Sequence, residues 1–282
     1  MSVKTLEALA DAAAFIASRR QAAHLENRAD EERLWLYLRA LSNFVHVTGQ
    51  VYHFEDFIKA AVPSGRPRVS ARLGAYKGAY AQLTVELLLR VLDKTSEPEQ
   101  KQHVLLLIAL VNFIGDTGQL DDVEDFFSNQ LEYAPMAIAH FTNREEAETW
   151  LRSIAEPPSP AYILIGDEYH QFWYRREDNT RGMYRDYPIE SELQELTARG
   201  IPAQTPSFAA RAEAENWLMN HPANPYAFVL IAGERFFAVY HRRLKRHSLH
   251  HVASTLSAWE EHKRAVEREA ALEAAQSDGA SE

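Results

Sequence analysis

Residues 34–57 align with residues 103–126 at an offset of 69, without a gap, and twelve of the 24 positions are identical. They include Leu36/Leu105, Leu38/Leu107, Ala40/Ala109, Leu41/Leu110, Asn43/Asn112 and Phe44/Phe113. Thr48-Gly49-Gln50 matches Thr117-Gly118-Gln119, and Glu55-Asp56-Phe57 matches Glu124-Asp125-Phe126. A duplication constrains the fold more than composition does, because each copy must form the same unit and bury its apolar face against a neighbour. The shared pattern reads as helix, glycine stop, short helix. Gly49 and Gly118 stand where a left-handed residue ends a helix, a conformation that side chains resist. The threonine beside each can serve nearby backbone groups.

A second duplication aligns residues 141–174 with 208–241 at offset 67. Phe141/Phe208, Arg144/Arg211, Glu146/Glu213, Ala147/Ala214, Trp150/Trp217, Leu151/Leu218, Pro158/Pro225 and Gly166/Gly233 are identical. Each copy reads as a helix (143–154 in the first), a proline-bearing turn and two strands around Gly166-Asp167 or Gly233-Glu234. A lone hairpin is marginal in water, so two hairpins sharing one antiparallel sheet are expected.

The rest of the first half carries helical periodicity: Leu6, Leu9, Ala13 and Ile16, then Leu34, Leu38 and Leu41. Residues 63–67 break the chain, a long helix is expected over 69–94, Pro98 opens the next, and a short acidic helix covers 120–132. A last helix is expected over 249–275 with a polar tail at 276–282. The predicted fold is therefore α+β and multidomain. Residues 1–134 form an all-α domain of two three-helix repeats, 135–251 a domain of two α-β-β repeats in one antiparallel sheet, and 252–282 a helix with its tail.

Of the 282 residues, 46% are hydrophobic, enough for a sizeable core. The formal charge of −10 opposes nucleic-acid binding through a global basic field and suits a basic protein partner. There is no cysteine, which excludes disulfides, thiolate catalysis and Cys-ligated zinc. No basic segment followed by an apolar core opens the chain, and the longest apolar run, 104–111, is too short to span a bilayer. A cytoplasmic location and no membrane partner are expected by elimination.

Two segments stand out as candidate sites. Asp121-Asp-Val-Glu-Asp125 is followed by Phe126-Phe127, with no basic residue from Gly115 to Glu132. One reading is a helix whose acidic first turn complements its own dipole. The other is a protein-binding patch of Asp121, Asp122 and Phe127, since the first repeat has Tyr52 and His53 where the second has the two aspartates. The segment 241–251 is cationic and rich in histidine. Arg242, Arg243, Lys245, Arg246 and His247 are anion-binding candidates there, with a solvated connection as the bland alternative. A metal reading of the same segment rests on His247, His250 and His251 at helical spacing, and lacks the acidic base of a hydrolytic zinc helix. Residues 169–174 are aromatic on both strand faces and read as packing. Trp150 and Trp217 read as core, and the arginines from 175 to 185 as a polar loop. No serine elbow, phosphate loop or metalloprotease helix is present, so no catalytic residue, cofactor or metal is assigned.

The Thr-Gly-Gln turns ahead of Glu-Asp-Phe, and the repeated Phe-x-x-Arg-x-Glu-Ala-Glu-x-Trp-Leu helices ahead of hairpins, resemble a paralogous family of myxobacterial proteins over residues 1–251. The resemblance carries no agreed activity and no catalytic residues. By analogy it implies an immunity partner of a toxin. The expected function is a non-catalytic protein-binding module serving immunity or regulation. The alternatives are a nucleotide or nucleic-acid-linked regulator using 241–251, and an enzyme of another class.

Overall fold

The computed structural model describes residues 3–60, 67–202 and 204–279. Of the chain break read at 63–67, residues 63–66 lie outside the described residues, as do the last three tail residues. The class is α+β, with helices first. In chain order the first part holds α1 (Val3–Leu25), α2 (Ala29–Val47), α3 (Val51–Ala60), α4 (Ala71–Ala75), α5 (Ala81–Lys94), α6 (Pro98–Thr117) and α7 (Leu120–Ser128). Next come β1 (Ala137–Phe141), α8 (Arg144–Ser153), β2 (Ala161–Ile165), β3 (Glu168–Arg175), β4 (Thr180–Arg185) and α9 (Pro188–Arg199). The last part holds β5 (Ser207–Phe208), α10 (Arg211–Asn220), β6 (Tyr226–Ile231), β7 (Glu234–His241), β8 (Arg246–His251) and α11 (Val252–Gly279). Two compact units result. The first holds the chain through 131 together with 148–162 and 171–183; the second holds 132–147, 163–170 and everything from 184 onward.

In the first unit the duplication is visible element by element: α1, α2 and α3 correspond to α5, α6 and α7. α2 buries Leu34, Trp35, Leu38, Leu41 and Val45, a stripe at helical spacing. α6 buries Val104, Leu107, Ile108, Val111 and Ile114 and sits at the centre. Both helices end in a left-handed glycine, Gly49 at φ 69° and Gly118 at φ 75°. The following glutamine N–H returns to the helix: Gln50 N donates to Val45 O at 2.9 Å and Gln119 N to Ile114 O at 3.0 Å. Thr48 and Thr117 donate their hydroxyls to Phe44 O and Phe113 O at 2.5 and 2.7 Å. The two copies pack with exchanged partners. Phe44 of the first meets Phe126 of the second at 5.8 Å, and Phe113 of the second meets Phe57 of the first at 5.6 Å. Residue i touching j while j's equivalent touches i's is the signature of a two-fold arrangement, here inside one chain.

The long helix expected over 69–94 is two helices, α4 and α5, separated by residues 76–80. The physical reason is tertiary. Tyr76 Oη donates to Asp121 Oδ1 at 2.9 Å, and Tyr80 N donates to Glu124 Oε1 at 3.2 Å. The Glu124 carboxylate thus satisfies a backbone donor that a continuous helix would have used itself, and Asp121 anchors the Tyr76 side chain in the break.

The strands correct the expectation of one antiparallel sheet. Among the described residues there are two four-stranded sheets, ordered β1-β2-β3-β4 and β5-β6-β7-β8. Each repeat is β-α-β-β-β rather than α-β-β, so each hairpin is flanked by strands of its own copy. In the second sheet β5 pairs with β6 in parallel, Ser207 opposite Leu230 and Phe208 opposite Ile231, while β6-β7 and β7-β8 are antiparallel. The parallel pair follows from the helix between them, since a crossover returns the chain in the same direction. The core of this sheet is Ala214, Leu218, Val229, Ile231, Ala238 and Leu249.

Trp150 and Trp217 are partly buried at the margins rather than central. Trp150 meets Phe172 edge-on at 5.7 Å, and Trp217 packs on Phe208 and stacks on His221 at 4.5 Å. The last helix starts at Val252, because residues 246–251 form β8 against β7. It runs to Gly279, past the start of the expected tail. Among the described residues no single helix is long and apolar enough to cross a membrane.

Candidate functional site

α7 owes its shape to the glycine before it and to one apolar stripe. Leu120, Val123 and Phe126 are buried, which turns the first-turn carboxylates of Asp121 and Asp122 outward to solvent. Asp121 accepts the Tyr76 hydroxyl, which burial and this bond hold above its usual pKa. Asp122 has no bonded partner among the described residues. Glu124 caps α5, and Asp125 Oδ1 accepts Asn129 Nδ2 at 2.7 Å. Phe127 is half-buried. Its ring lies 5.4 Å from Tyr37 and 5.1 Å from Tyr80, with the Arg33 guanidinium 5.8 Å above it. It is therefore engaged inside its own unit. The exposed apolar side chain near this helix is Leu131, 93% exposed, just beyond the end of α7.

The cationic candidates do not converge. Arg242 pairs with Glu132 at 2.8 Å and lies over the Tyr133 ring. Arg246 pairs with Asp167 at 3.3 Å, and Asp167 is also held by Arg211 at 2.6 Å. His247 accepts Ala223 N at 3.2 Å and packs on Tyr240. Arg243 and Lys245 are exposed, Lys245 in a left-handed turn at φ 51°. The helical spacing behind the metal reading is absent. In strand β8, residues three apart point to opposite faces, so His247 and His250 diverge. Among the described residues no three His, Asp or Glu side chains are grouped to hold a metal.

The sequence reading missed a buried polar chain in the second unit. Tyr169 Oη donates to Pro135 O at 2.7 Å and lies 3.1 Å from His241 Nδ1. His241 Nε2 is 2.8 Å from Ser248 Oγ, which is 2.9 Å from His250 Nε2. One proton arrangement satisfies every group: His250 Nε2 donates to Ser248, Ser248 to His241, and His241 Nδ1 to Tyr169. Burial pulls His241 down to about 3 and His250 to about 4, so both are neutral at neutral pH. Ser248 is fully buried, and its proton is committed to His241. The chain ties β8 to β7 and to Tyr169; it offers substrate no nucleophile. The only signal for it in the sequence was the density of histidine after 241.

A second missed feature lies in the first unit. Arg176, read as part of a polar loop, donates Nη1 and Nη2 to the two carboxylate oxygens of Asp56 at 2.7 and 2.8 Å, and Nη2 also to Glu156 at 2.5 Å. Its guanidinium sits 4.5 Å over the Tyr52 ring, and its backbone N–H donates to Tyr52 Oη at 3.0 Å. Arg181 caps the carbonyls of Leu151 and Ile154, and Arg185 pairs with Glu168 and the buried Glu190. These arginines are spent within the fold.

No family model, curated protein or solved structure matches the chain.

Proposed function

We propose that the chain is a non-catalytic binding module that engages another, basic protein through the exposed first turn of α7. The observation that carries this reading is the division of labour on that helix. Leu120, Val123 and Phe126 supply its packing, while Asp121 and Asp122 face solvent, and exposed Leu131 follows the helix end. Exposed carboxylates with no basic residue beside them in sequence suit an interface in which charge steers encounter. The first repeat supports it, because Tyr52 and His53 at the equivalent positions show that packing of the motif needs no acid there. Service as an immunity or regulatory partner in the cytoplasm belongs to the same proposal and rests on the family resemblance. The test is affinity capture from the native cell with the full chain and with Asp121→Lys/Asp122→Lys, read by mass spectrometry for protein and nucleic acid. A protein retained by the parent chain and lost by the variant supports the reading. Equal capture by both, or capture of nucleic acid alone, contradicts it.

A further inference from the structure

The duplication in the first unit gives it two copies of one docking surface, and among the described residues only the first has backbone packed over its glycine. On the first copy, Thr48 and Gly49 are buried. Gly49 O accepts Ser159 N at 2.8 Å, and the glycine lies so close to the Pro158–Ser159 backbone that an added Cβ would fall 2.5 Å from Ser159 N. Seven residues further along the same turn and helix, Asp56 clamps Arg176 through both carboxylate oxygens, with Tyr52 between. A hairpin with a proline-serine entry and an arginine at its exit thus sits on a glycine stop and the short helix behind it.

The equivalents on the second copy are Thr117, Gly118, Asp121, Asp122 and Asp125. Thr117 and Gly118 are exposed, as are Asp121 and Asp122. What lies near Gly118 is the side chain of Arg72, exposed and flexible, whose Nη1 donates to Asp116 O at 3.1 Å and would stand 3.3 Å from an added Cβ. Among the described residues no backbone covers this glycine as Pro158 and Ser159 cover Gly49. Asp125, the equivalent of the clamping Asp56, is bonded to Asn129, so the free charge of the second copy lies one turn earlier: Asp121, which also accepts the Tyr76 hydroxyl, stands where Tyr52 does, and Asp122 where His53 does.

We infer that the surface formed by Gly118, Asp121 and Asp122 takes an arginine-bearing β-hairpin of another protein, in the way that the Gly49–Asp56 surface takes the hairpin of this chain. The inference rests on the protein-binding reading above and specifies the partner's chemistry. Backbone of the incoming turn packs on Gly118, and its guanidinium meets the two carboxylates. A charged pair of this kind is worth more than a neutral contact and is weakened by salt.

The probe is a backbone-cyclised peptide carrying residues 156–178 of this chain, added to the isotopically labelled full-length protein and followed through backbone amide shifts. Saturable shifts at residues 117–122 are expected, with affinity falling about tenfold or more when the peptide carries Arg176→Glu. The same loss is expected when the protein carries Asp121→Lys/Asp122→Lys. The peptide substitution keeps the test valid if the protein variant fails to fold. Absence of shifts at 117–122, shifts at 52–56 instead, or equal affinity of the charge-reversed peptide overturns the inference. So does dimerisation of the chain alone that Asp121→Lys abolishes, which would make a second copy the occupant. Failure of the peptide with a captured partner still dependent on Asp121 and Asp122 defeats only the hairpin chemistry. A partner indifferent to both residues defeats the binding reading itself.

Discussion

Gln50 and Gln119, equivalent residues of the two helical repeats, donate their amides to each other: Gln50 Nε2 to Gln119 Oε1 at 2.7 Å, and Gln119 Nε2 to Gln50 Oε1 at 2.8 Å. Each amide nitrogen also reaches its own threonine hydroxyl, Thr48 at 2.7 Å and Thr117 at 2.8 Å. A residue that bonds its own equivalent reciprocally must lie on the local two-fold axis, so the duplicated Thr-Gly-Gln turns form the contact that joins the copies. Single Gln50→Ala and Gln119→Ala variants should therefore lose similar stability, about 1–2 kcal/mol each. The double variant should cost less than their sum, because one deletion already removes both bonds. Denaturant unfolding of the four proteins measures this; additive losses would mean that the pair does not couple.

The two glycine stops should respond unequally to the same change. Both have positive φ, which costs an alanine about 1–2 kcal/mol. Gly118→Ala meets only the movable Arg72 side chain, whereas Gly49→Ala collides with the Pro158–Ser159 backbone. Gly49→Ala is expected to cost about 1–3 kcal/mol more than Gly118→Ala in thermal or denaturant melts. Equal costs would show that the second glycine is covered too.

Acid should destabilise the fold through the buried imidazoles. His241 and His250 lie below the ordinary 6.5, at about 3 and about 4, chiefly through burial. Between 6.5 and those values the unfolded chain binds more protons than the folded one, so stability falls as pH drops through that window and is fully present above 6.5. Each group accounts for about 2 kcal/mol of loss at pH 5. Glu190, raised by its own burial, works in the opposite sense at the lower end of the window. Melting curves at pH 7.5 and pH 5 should differ less in His241→Gln and His250→Gln than in the parent. An unchanged pH dependence in both variants would remove these groups from the account.

Trp150 and Trp217, partly buried at the margins of their sheets, should each cost about 1–3 kcal/mol on truncation to alanine, less than the ~3–5 kcal/mol of a fully enclosed aromatic. A loss in the upper range for either one would place it in the core as the sequence suggested.

The helical half was legible because its signals are local: apolar spacing, glycine stops and an ungapped repeat. The break between α4 and α5 was not, since it depends on Asp121 and Glu124, more than forty residues away along the chain. The outer strands of the β-α-β-β-β repeats were missed for two reasons. β5 is only two residues long, and β8, Arg-His-Ser-Leu-His-His, fills its buried positions with Ser248 and His250 as well as Leu249. A buried polar network erases the alternation of apolar and polar residues by which a strand is recognised. Of the candidate site, the acidic turn was readable from the difference between repeats. The engagement of Phe127 by Tyr37 and Tyr80, and the covered twin surface at Gly49, needed the fold.

The most direct test of the binding account is the association rate of the captured partner with the parent chain and with Asp121→Lys/Asp122→Lys, at low and physiological salt, beside a melt of each protein. Steering charges act within a Debye length of about 8 Å at physiological salt. The variant should associate more slowly and with a flatter salt dependence, while its stability stays within about 0.5 kcal/mol of the parent beyond the lost helix-dipole complement and the lost Tyr76 hydrogen bond, about 1 kcal/mol. Unchanged association rates together with a large loss of stability would show that these carboxylates serve only α7 and its neighbours.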